Sequence, residues 1–272
     1  MPSIEIAPAP QRPEPGTWPN DALTIAWLGH ATVLINLAGS WLLTDPALER
    51  RIGIGRGRAK LGPTRLVEPA LRPRELPHLD AILLSHAHMD HTDIGTLRHL
   101  RRDVPVVVQQ GNADLVRRFC GVHELAWGQR VEVGGVKVES TPARHWGARM
   151  IADKHRGYGG YVIQKPDLTV LFAGDTAYTD VLTPLGQRMA IDLAILPIGA
   201  YNPWINNHAS PEQAWTMFRR LQAKYVLPVH HSTFRLSQEP LTEPIERFLT
   251  AAGPESWRVV GPQVGSTWTM RD

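Results

Sequence analysis

The sequence feature that most constrains this chain is the run His86-Ala87-His88-Met89-Asp90-His91, which follows the apolar residues 81–84 with only Ser85 between them. Four potential metal ligands therefore lie within six residues, at the end of an apolar run typical of a buried strand. Buried imidazole and carboxylate groups are costly to desolvate when they lack partners. A bound cation satisfies them most simply, so the motif predicts a metal site at this strand end.

Three later residues extend the predicted ligand set, and each follows an apolar run: His145, Asp175 and His230. Side chains of an extended strand alternate in direction, so His86 and His88 are expected to project together. The carboxylate of Asp175 is suited to bridging two cations. Mixed nitrogen and oxygen ligands favour zinc, with manganese or iron as alternatives, because these ions accept both imidazole and carboxylate. We therefore expect two divalent metal ions as cofactors.

The length and composition of the chain set its expected organisation. The 272 residues suffice for one large domain or two small ones, and the formal net charge is only +3. Six prolines among the first twenty residues predict a proline-rich arm over residues 1–21, followed by a single domain over residues 22–272. The one cysteine, Cys120, excludes an intramolecular disulfide and is predicted to be buried at the end of a helix.

The N-terminal residues show neither the basic nor the apolar segment of a signal peptide. No apolar run has the length that crossing a bilayer requires. We therefore expect a cytoplasmic protein without an integral membrane segment.

Apolar periodicity divides the chain into short strands, followed by helices that alternate with strands. Strands are predicted over residues 23–27, 32–37, 41–44, 80–85, 104–108, 130–133, 136–140, 161–164, 169–173, 192–197 and 225–229. Helices are predicted over residues 92–102, 112–119 and 241–251. Another helix is expected to start at Ser210-Pro211-Glu212-Gln213, where Ser210 can cap it and Gln213 can close a capping box. This order favours an α/β fold of four layers, an αββα sandwich with helices on both outer faces.

Seven short segments of the chain form a recognisable set of motifs: Trp27-Leu28-Gly29-His30-Ala31-Thr32, Leu43-Thr44-Asp45-Pro46, residues 85–91, Thr141-Pro142-Ala143-Arg144-His145-Trp146, Phe172-Ala173-Gly174-Asp175-Thr176, Pro197-Ile198-Gly199-Ala200-Tyr201 and His230-His231-Ser232-Thr233-Phe234. With these segments the chain resembles the metallo-β-lactamase superfamily of binuclear hydrolases, over roughly residues 22–270. Within that superfamily, the segments are similar to the branch that includes N-acyl phosphatidylethanolamine-hydrolysing phospholipase D, with the ascorbate-phosphate lactonase group as a neighbour.

The resemblance implies a role for each metal-binding residue. The first metal would be held by His86, His88 and His145, and the second by Asp90, His91 and His230, with Asp175 bridging them. His230 is preferred to His231 because it closes the strand directly and matches the frame of the family motif. His208 would lie over the metals and donate to a substrate oxygen. His30 and Asp45 would orient ligands or strand ends.

The resemblance also implies a hydrolase in which a hydroxide shared by two metals attacks a phosphodiester, as in phospholipase D-like phosphodiesterases. Asp90, which would orient the hydroxide, and His208, which would stabilise the oxyanion, are the predicted catalytic residues. The alternative is a lactonase, or another carboxylic or phosphoric ester hydrolase, on the same metals. The expected substrate is a small-molecule or lipid phosphodiester. No nucleic acid is expected, because the sequence has no basic stripe with interleaved aromatic residues.

Two groups of residues have open interpretations. The Arg-rich stretch over residues 49–65 is expected either to contact an anionic head group or to remain a solvated loop. Its cations are Arg50, Arg51, Arg56, Arg58, Lys60 and Arg65. Trp41, Trp146 and Trp204 are expected either to offer apolar contacts to a substrate or to pack in the core.

Overall fold

The computed structural model describes residues 5–55, 59–150 and 153–270, and its strands form two mixed sheets that follow chain order. The first sheet contains β1 (Leu23–Gly29), β2 (Thr32–Leu37), β3 (Ser40–Thr44), β4 (Ala81–Leu84), β5 (Val106–Gln109) and β6 (Val122–Leu125), with β13 (Thr267–Thr269) beside β1. The second sheet contains β7 (Arg130–Val133), β8 (Val136–Thr141), β9 (Gly160–Lys165), β10 (Leu168–Phe172), β11 (Leu193–Pro197) and β12 (Tyr225–Val229).

Each sheet changes from antiparallel to parallel pairing along its length. In the first sheet, β1 to β3 pair antiparallel and β3 to β6 pair parallel. In the second sheet, β7 to β10 pair antiparallel and β10 to β12 pair parallel. The parallel strands of each sheet therefore share one edge for their carboxyl ends, where open α/β sheets bind ligands.

The parallel strands β10 and β11 of the second sheet are buried on both faces. Along β10, Val170 and Phe172 belong to the apolar cluster between the sheets, whereas Leu171 belongs to the cluster beneath the helices. Along β11, Ile195 and Leu196 divide in the same way. Continuous apolar runs are typical of parallel strands covered on both sides, which is why the sequence pattern indicates these strands clearly.

The helices are α1 (Ile94–Leu97), α2 (Thr183–Arg188), α3 (Pro211–Leu221) and α4 (Glu243–Ala252). Trp215 of α3 and Phe248 of α4 pack in the cluster outside the second sheet. The start of α3 is as predicted, because Ser210 and Gln213 close a capping box. The predicted α/β sandwich is confirmed. Within the described ranges, no helix has both the length and the apolar character needed to cross a bilayer.

The predicted helix over residues 112–119 is wrong. The segment forms only a short 3-10 helix at Ala113–Leu115 and then enters β6, a strand that the apolar pattern does not indicate. Glu124 Oε1 accepts hydrogen bonds from the backbone N–H groups of residues 111, 112 and 113. A carboxylate from β6 therefore takes the place of helical hydrogen bonds. Cys120, predicted to be buried, is exposed.

The predicted helix over residues 92–102 is reduced to the four residues of α1. Asp93 caps it by accepting a hydrogen bond from the backbone N–H of Thr96. At its other end, Arg118 donates to the carbonyl oxygens of Leu97 and Leu100. These carbonyl groups therefore obtain partners without further helical turns.

The Arg-rich stretch is not solvated throughout. Arg65 is fully buried, and its guanidinium donates to the main-chain carbonyl groups of residues 47, 49 and 67. Lys60 is buried as well and pairs with the carboxylate of Asp93. Both cations therefore hold the loop against the protein and do not face a ligand. Arg56 and Arg58 lie outside the described residues.

Candidate metal centre

Strand ends from both sheets meet at one site. Polar side chains follow β1, β3, β4, β8, β10 and β12, namely His30, Asp45, His86, His145, Asp175 and His230. The turn after β4 adds His88, Asp90 and His91, and the loop after β11 adds His208. The structure therefore brings together all seven residues predicted to bind metal and both residues predicted to be catalytic.

One cluster consists of His86, His88, His145 and Asp175, whose candidate ligand atoms all lie within 4.8 Å of one another. His86 Nε2 is 2.8 Å from His88 Nδ1, and His145 Nε2 is 3.3 Å from the same atom. When these ring nitrogens carry lone pairs, they repel at such distances unless a cation lies between them. The arrangement fits one metal ion.

The ring orientations in this cluster are set by neighbours that the sequence reasoning missed. His86 Nδ1 lies 2.8 Å from Ser85 Oγ, and His145 Nδ1 lies 2.9 Å from the carbonyl oxygen of Asn207. When Nδ1–H donates to these oxygens, each ring keeps Nε2 free as a metal ligand. Ser85 could have been recognised beside the motif. The role of Asn207 could not be recognised from the sequence, because its contact is a main-chain carbonyl, which every residue has.

The second cluster consists of His30, Asp90, His91 and His230. The Nε2 atoms of His91 and His230 each lie 3.5 Å from Asp90 Oδ2. His91 Nδ1 donates to Asp45 Oδ2 across 2.7 Å, which points Nε2 of His91 into the cluster. His30 Nε2 is 2.9 Å from Asp90 Oδ2, a distance that suits orientation of this carboxylate.

Asp175 lies between the two clusters. Its Oδ2 atom is 3.1 Å from His91 Nε2 and 3.2 Å from His230 Nε2. The same atom is 3.8 Å from Nε2 of both His86 and His145. Among the described residues, Asp175 Oδ1 is buried without a hydrogen-bond partner, and the Nε2 atoms of His91 and His230 are buried without a well-aligned hydrogen bond. Buried polar atoms are rarely left unpaired, so this donor set fits cations at both clusters.

Burial and neighbouring carboxylates divide the histidines by charge. Burial lowers the pKa of His145 to about 4 and that of His208 to about 3, so both are neutral near pH 7. Burial alone would also lower the pKa of His230, but the carboxylates of Asp175 and Asp90 outweigh it and raise the pKa to about 9. The pKa of His91 is raised for the same reason. Cation binding would displace these protons, because a histidine ligand must be deprotonated.

A cavity of about 230 Å³ adjoins both clusters. Its lining includes Asp90, Asp175 and His208, together with Trp146 and Trp204, which are 49% and 51% exposed. His208 Nδ1 lies 3.9 Å from Asp175 Oδ2. A molecule in this cavity would therefore contact the acidic and imidazole groups at once.

The three tryptophans considered from the sequence separate into two environments. Trp146 lies beside the metal centre, with its ring 4.8 Å from the ring of His88. Trp41 instead stacks on Trp18 with 5.2 Å between ring centroids, and it does not line the cavity. Trp146 and Trp204 therefore remain candidates for substrate contact, whereas Trp41 is partly buried and packs against the core.

The neighbouring residues His230 and His231 provide a matched pair for testing the ligand assignment. His231 Nδ1 lies 2.8 Å from Ser232 Oγ, and its ring packs 4.5 Å from that of Trp27, away from both clusters. We expect His230→Ala to lose about one equivalent of bound metal, whereas His231→Ala keeps the wild-type content and loses only stability. Metal analysis of both purified variants, beside their thermal unfolding, checks this. Equal metal loss in the two variants would contradict the choice of His230.

Comparison with known proteins identifies relatives of this chain. Residues 40–231 match the family model of the β-lactamase superfamily domain. An uncharacterized protein of Mycobacterium tuberculosis is 35% identical over 277 residues, covering 97% of this chain and 73% of its own. A UPF0173 metal-dependent hydrolase of Exiguobacterium is 31% identical, covering 78% of this chain and 87% of its own.

A relative with a named lipid activity is N-acyl-phosphatidylethanolamine-hydrolyzing phospholipase D 1 of Caenorhabditis elegans. It is 30% identical over 78% of this chain, which spans 64% of the length of that relative. Among solved structures, isothiocyanate hydrolase from Delia radicum gut bacteria superposes with a TM-score of 0.73 at 21% identity. The match covers 91% of this chain and 98% of that structure, and it supports the fold alone.

Proposed function

The chain belongs to the metallo-β-lactamase superfamily as a metal-dependent hydrolase, and we propose that it hydrolyses phosphodiesters at a centre of two divalent cations. The position of Asp175 Oδ2, within 3.8 Å of ring nitrogens from both clusters, is the main support for two cations. Zinc suits the mixed imidazole and carboxylate ligands. Similarity to the phospholipase D of C. elegans supports a phosphodiester, from a lipid or a small molecule.

Bound cations would supply a water-derived nucleophile near neutral pH and positive charge to offset the charge of the transition state. Asp175 would hold both cations, since one of its oxygens faces both clusters. Asp90 lines the cavity and is held by His30, so its carboxylate would orient a water molecule for attack on the substrate. His208 is a neutral imidazole beside Asp175 and donates a hydrogen bond to a substrate oxygen.

His208→Ala is expected to lower turnover by about 10²-fold, the usual cost of removing one donor to a developing oxyanion. The metal content should stay at the wild-type level, because the other ligand candidates are unchanged. Steady-state kinetics and metal analysis on the same preparation check both expectations. His208 Nδ1 lies 3.9 Å from Asp175 Oδ2, close enough for both groups to bind one ion. Loss of metal from this variant would therefore identify His208 as a metal ligand.

A substrate panel tests the proposed reaction. We expect zinc-loaded protein to hydrolyse bis(p-nitrophenyl) phosphate and an N-acyl phosphatidylethanolamine in detergent micelles. Exhaustive chelation should abolish this activity and added zinc should restore it, because cations supply the nucleophile. Hydrolysis of simple lactones without hydrolysis of either phosphodiester would favour the lactonase alternative. Full activity after chelation would reject the metal-dependent mechanism.

We propose further that residues 22–272 form the hydrolase domain and that residues 1–21 are an N-terminal arm. The cytoplasmic location and the lack of a nucleic acid partner also stay predictions from the sequence.

A further inference from the structure

One arginine holds both ends of the ligand loop, which we define as residues 86–92. Arg149 Nη1 donates to the carbonyl oxygen of Ala87 at 2.7 Å and to that of Thr92 at 2.8 Å. The two carbonyl groups enclose His88, Asp90 and His91. We propose that Arg149 is a positioning residue for the metal centre, which fixes the ligand loop relative to His145.

Arg149 follows His145 by four residues, and the backbone between them has little room to move. A Cβ atom on Gly147 would lie 2.2 Å from the carbonyl oxygen of Arg156 and 2.8 Å from that of Gly157. Glycine therefore allows residues 145–149 to pack directly on the backbone of residues 156–157. Arg149 extends from this tightly packed segment, so its two hydrogen bonds tie the ligand loop of the first sheet to a fixed part of the second half of the chain.

Charge neutralisation does not explain the place of Arg149. In the described parts of the chain, no carboxylate lies within ion-pair distance of its guanidinium, and the nearby carboxylates of Asp93 and Asp153 pair instead with Lys60 and Arg156. A guanidinium beside a centre for two dications adds electrostatic repulsion, so some favourable interaction must offset this cost. The two directed hydrogen bonds from Arg149 are that favourable interaction. A guanidinium holds its donors in a fixed planar arrangement, whereas a lysine ammonium is a single flexible point.

The test is the zinc affinity of the full-length chain, measured by chelator competition for Arg149→Met, Arg149→Lys and the control Arg144→Met. Arg144 directly precedes the segment of residues 145–149 and has an exposed side chain. We expect Arg149→Met to lower the zinc affinity of the site formed by His86, His88 and His145 by about 10–100-fold, as is typical when a residue that orients metal ligands is removed. Arg149→Lys should recover part of this loss, and Arg144→Met should match the wild type. Cobalt-loaded Arg149→Met should show altered visible absorption bands, which a loss of stability alone would not produce.

This inference rests on the metal ligands of the proposed function, and not on its substrate. Wild-type protein that binds no divalent ion would reject the proposed function itself. Wild-type zinc affinity and an unchanged cobalt spectrum in Arg149→Met would overturn only the role of Arg149. If Arg149→Met does not fold, Arg149→Lys decides in its place: a several-fold weaker first site is expected, and unchanged affinity would overturn the proposal.

Discussion

Asp175→Ala is expected to lose bound metal and to lower hydrolysis of bis(p-nitrophenyl) phosphate by more than about 10³-fold, well beyond the 10–100-fold typical of a residue that only orients a ligand. The reason is the central position of the carboxylate, since Oδ2 faces His91 and His230 on one side and His86 and His145 on the other. Without it, the two cations would lose the carboxylate oxygen that faces both clusters. Metal analysis and steady-state kinetics of the purified variant measure both effects.

A matched control separates this effect from the loss of any one carboxylate. Asp180 is five residues further along the chain, is exposed and pairs with Arg220 at the surface. Exposed pairs contribute little, so Asp180→Asn should keep wild-type metal content and activity. Asp175→Asn adds a second comparison, because it keeps the size of the side chain and removes its charge. Full activity in Asp175→Ala would show that Asp175 does not bridge the metals.

The apolar pattern predicted the strands near the site better than it predicted the helices. Strands such as β4 and β12 are buried on both faces and therefore read as continuous apolar runs. The sequence pattern does not indicate α2, which contains both Pro184 and Gly186. A Cβ atom on Gly186 would lie 2.1 Å from the carbonyl oxygen of Leu221, so glycine lets α2 pack closely on α3. Such a helix depends on tertiary packing, which local propensity does not contain.

The sequence predicted which side chains meet at the site better than it predicted what holds them there. Imidazole and carboxylate groups reveal their chemistry by residue type, so His86, Asp175 and His230 were recognisable from their strand ends. The carbonyl of Asn207 that orients His145, and those of Ala87 and Thr92 that bind Arg149, belong to the main chain. Main-chain groups are the same in every residue. Their roles follow only from the folded structure.

Asp45 shows how one buried group links the two histidine clusters. Its Oδ1 accepts a hydrogen bond from the backbone N–H of Ser85 at 2.7 Å, and its Oδ2 accepts from Ser85 Oγ at 2.5 Å. The same Oδ2 lies 2.7 Å from His91 Nδ1, while Ser85 Oγ also contacts His86 Nδ1. Asp45 is completely buried, so each of these donors depends on it for a partner. One carboxylate therefore orients a ligand candidate in each cluster.

Asp45→Asn is consequently expected to weaken zinc binding by about 10–100-fold and to lower the free energy of unfolding by about 1–3 kcal/mol. An amide has one acceptor oxygen, so its NH₂ group must face a donor from either Ser85 or His91. The control is Asp192→Asn, which removes a similarly buried carboxylate that accepts from the backbone N–H of Thr169 at the opposite end of β11 from the site. That variant should lose stability while keeping wild-type zinc affinity. Chelator competition measures the zinc affinity of both variants, and chemical unfolding of the metal-free proteins measures their stability. Equal zinc affinity in Asp45→Asn and the wild type would show that His91 and His86 keep their orientation without the carboxylate.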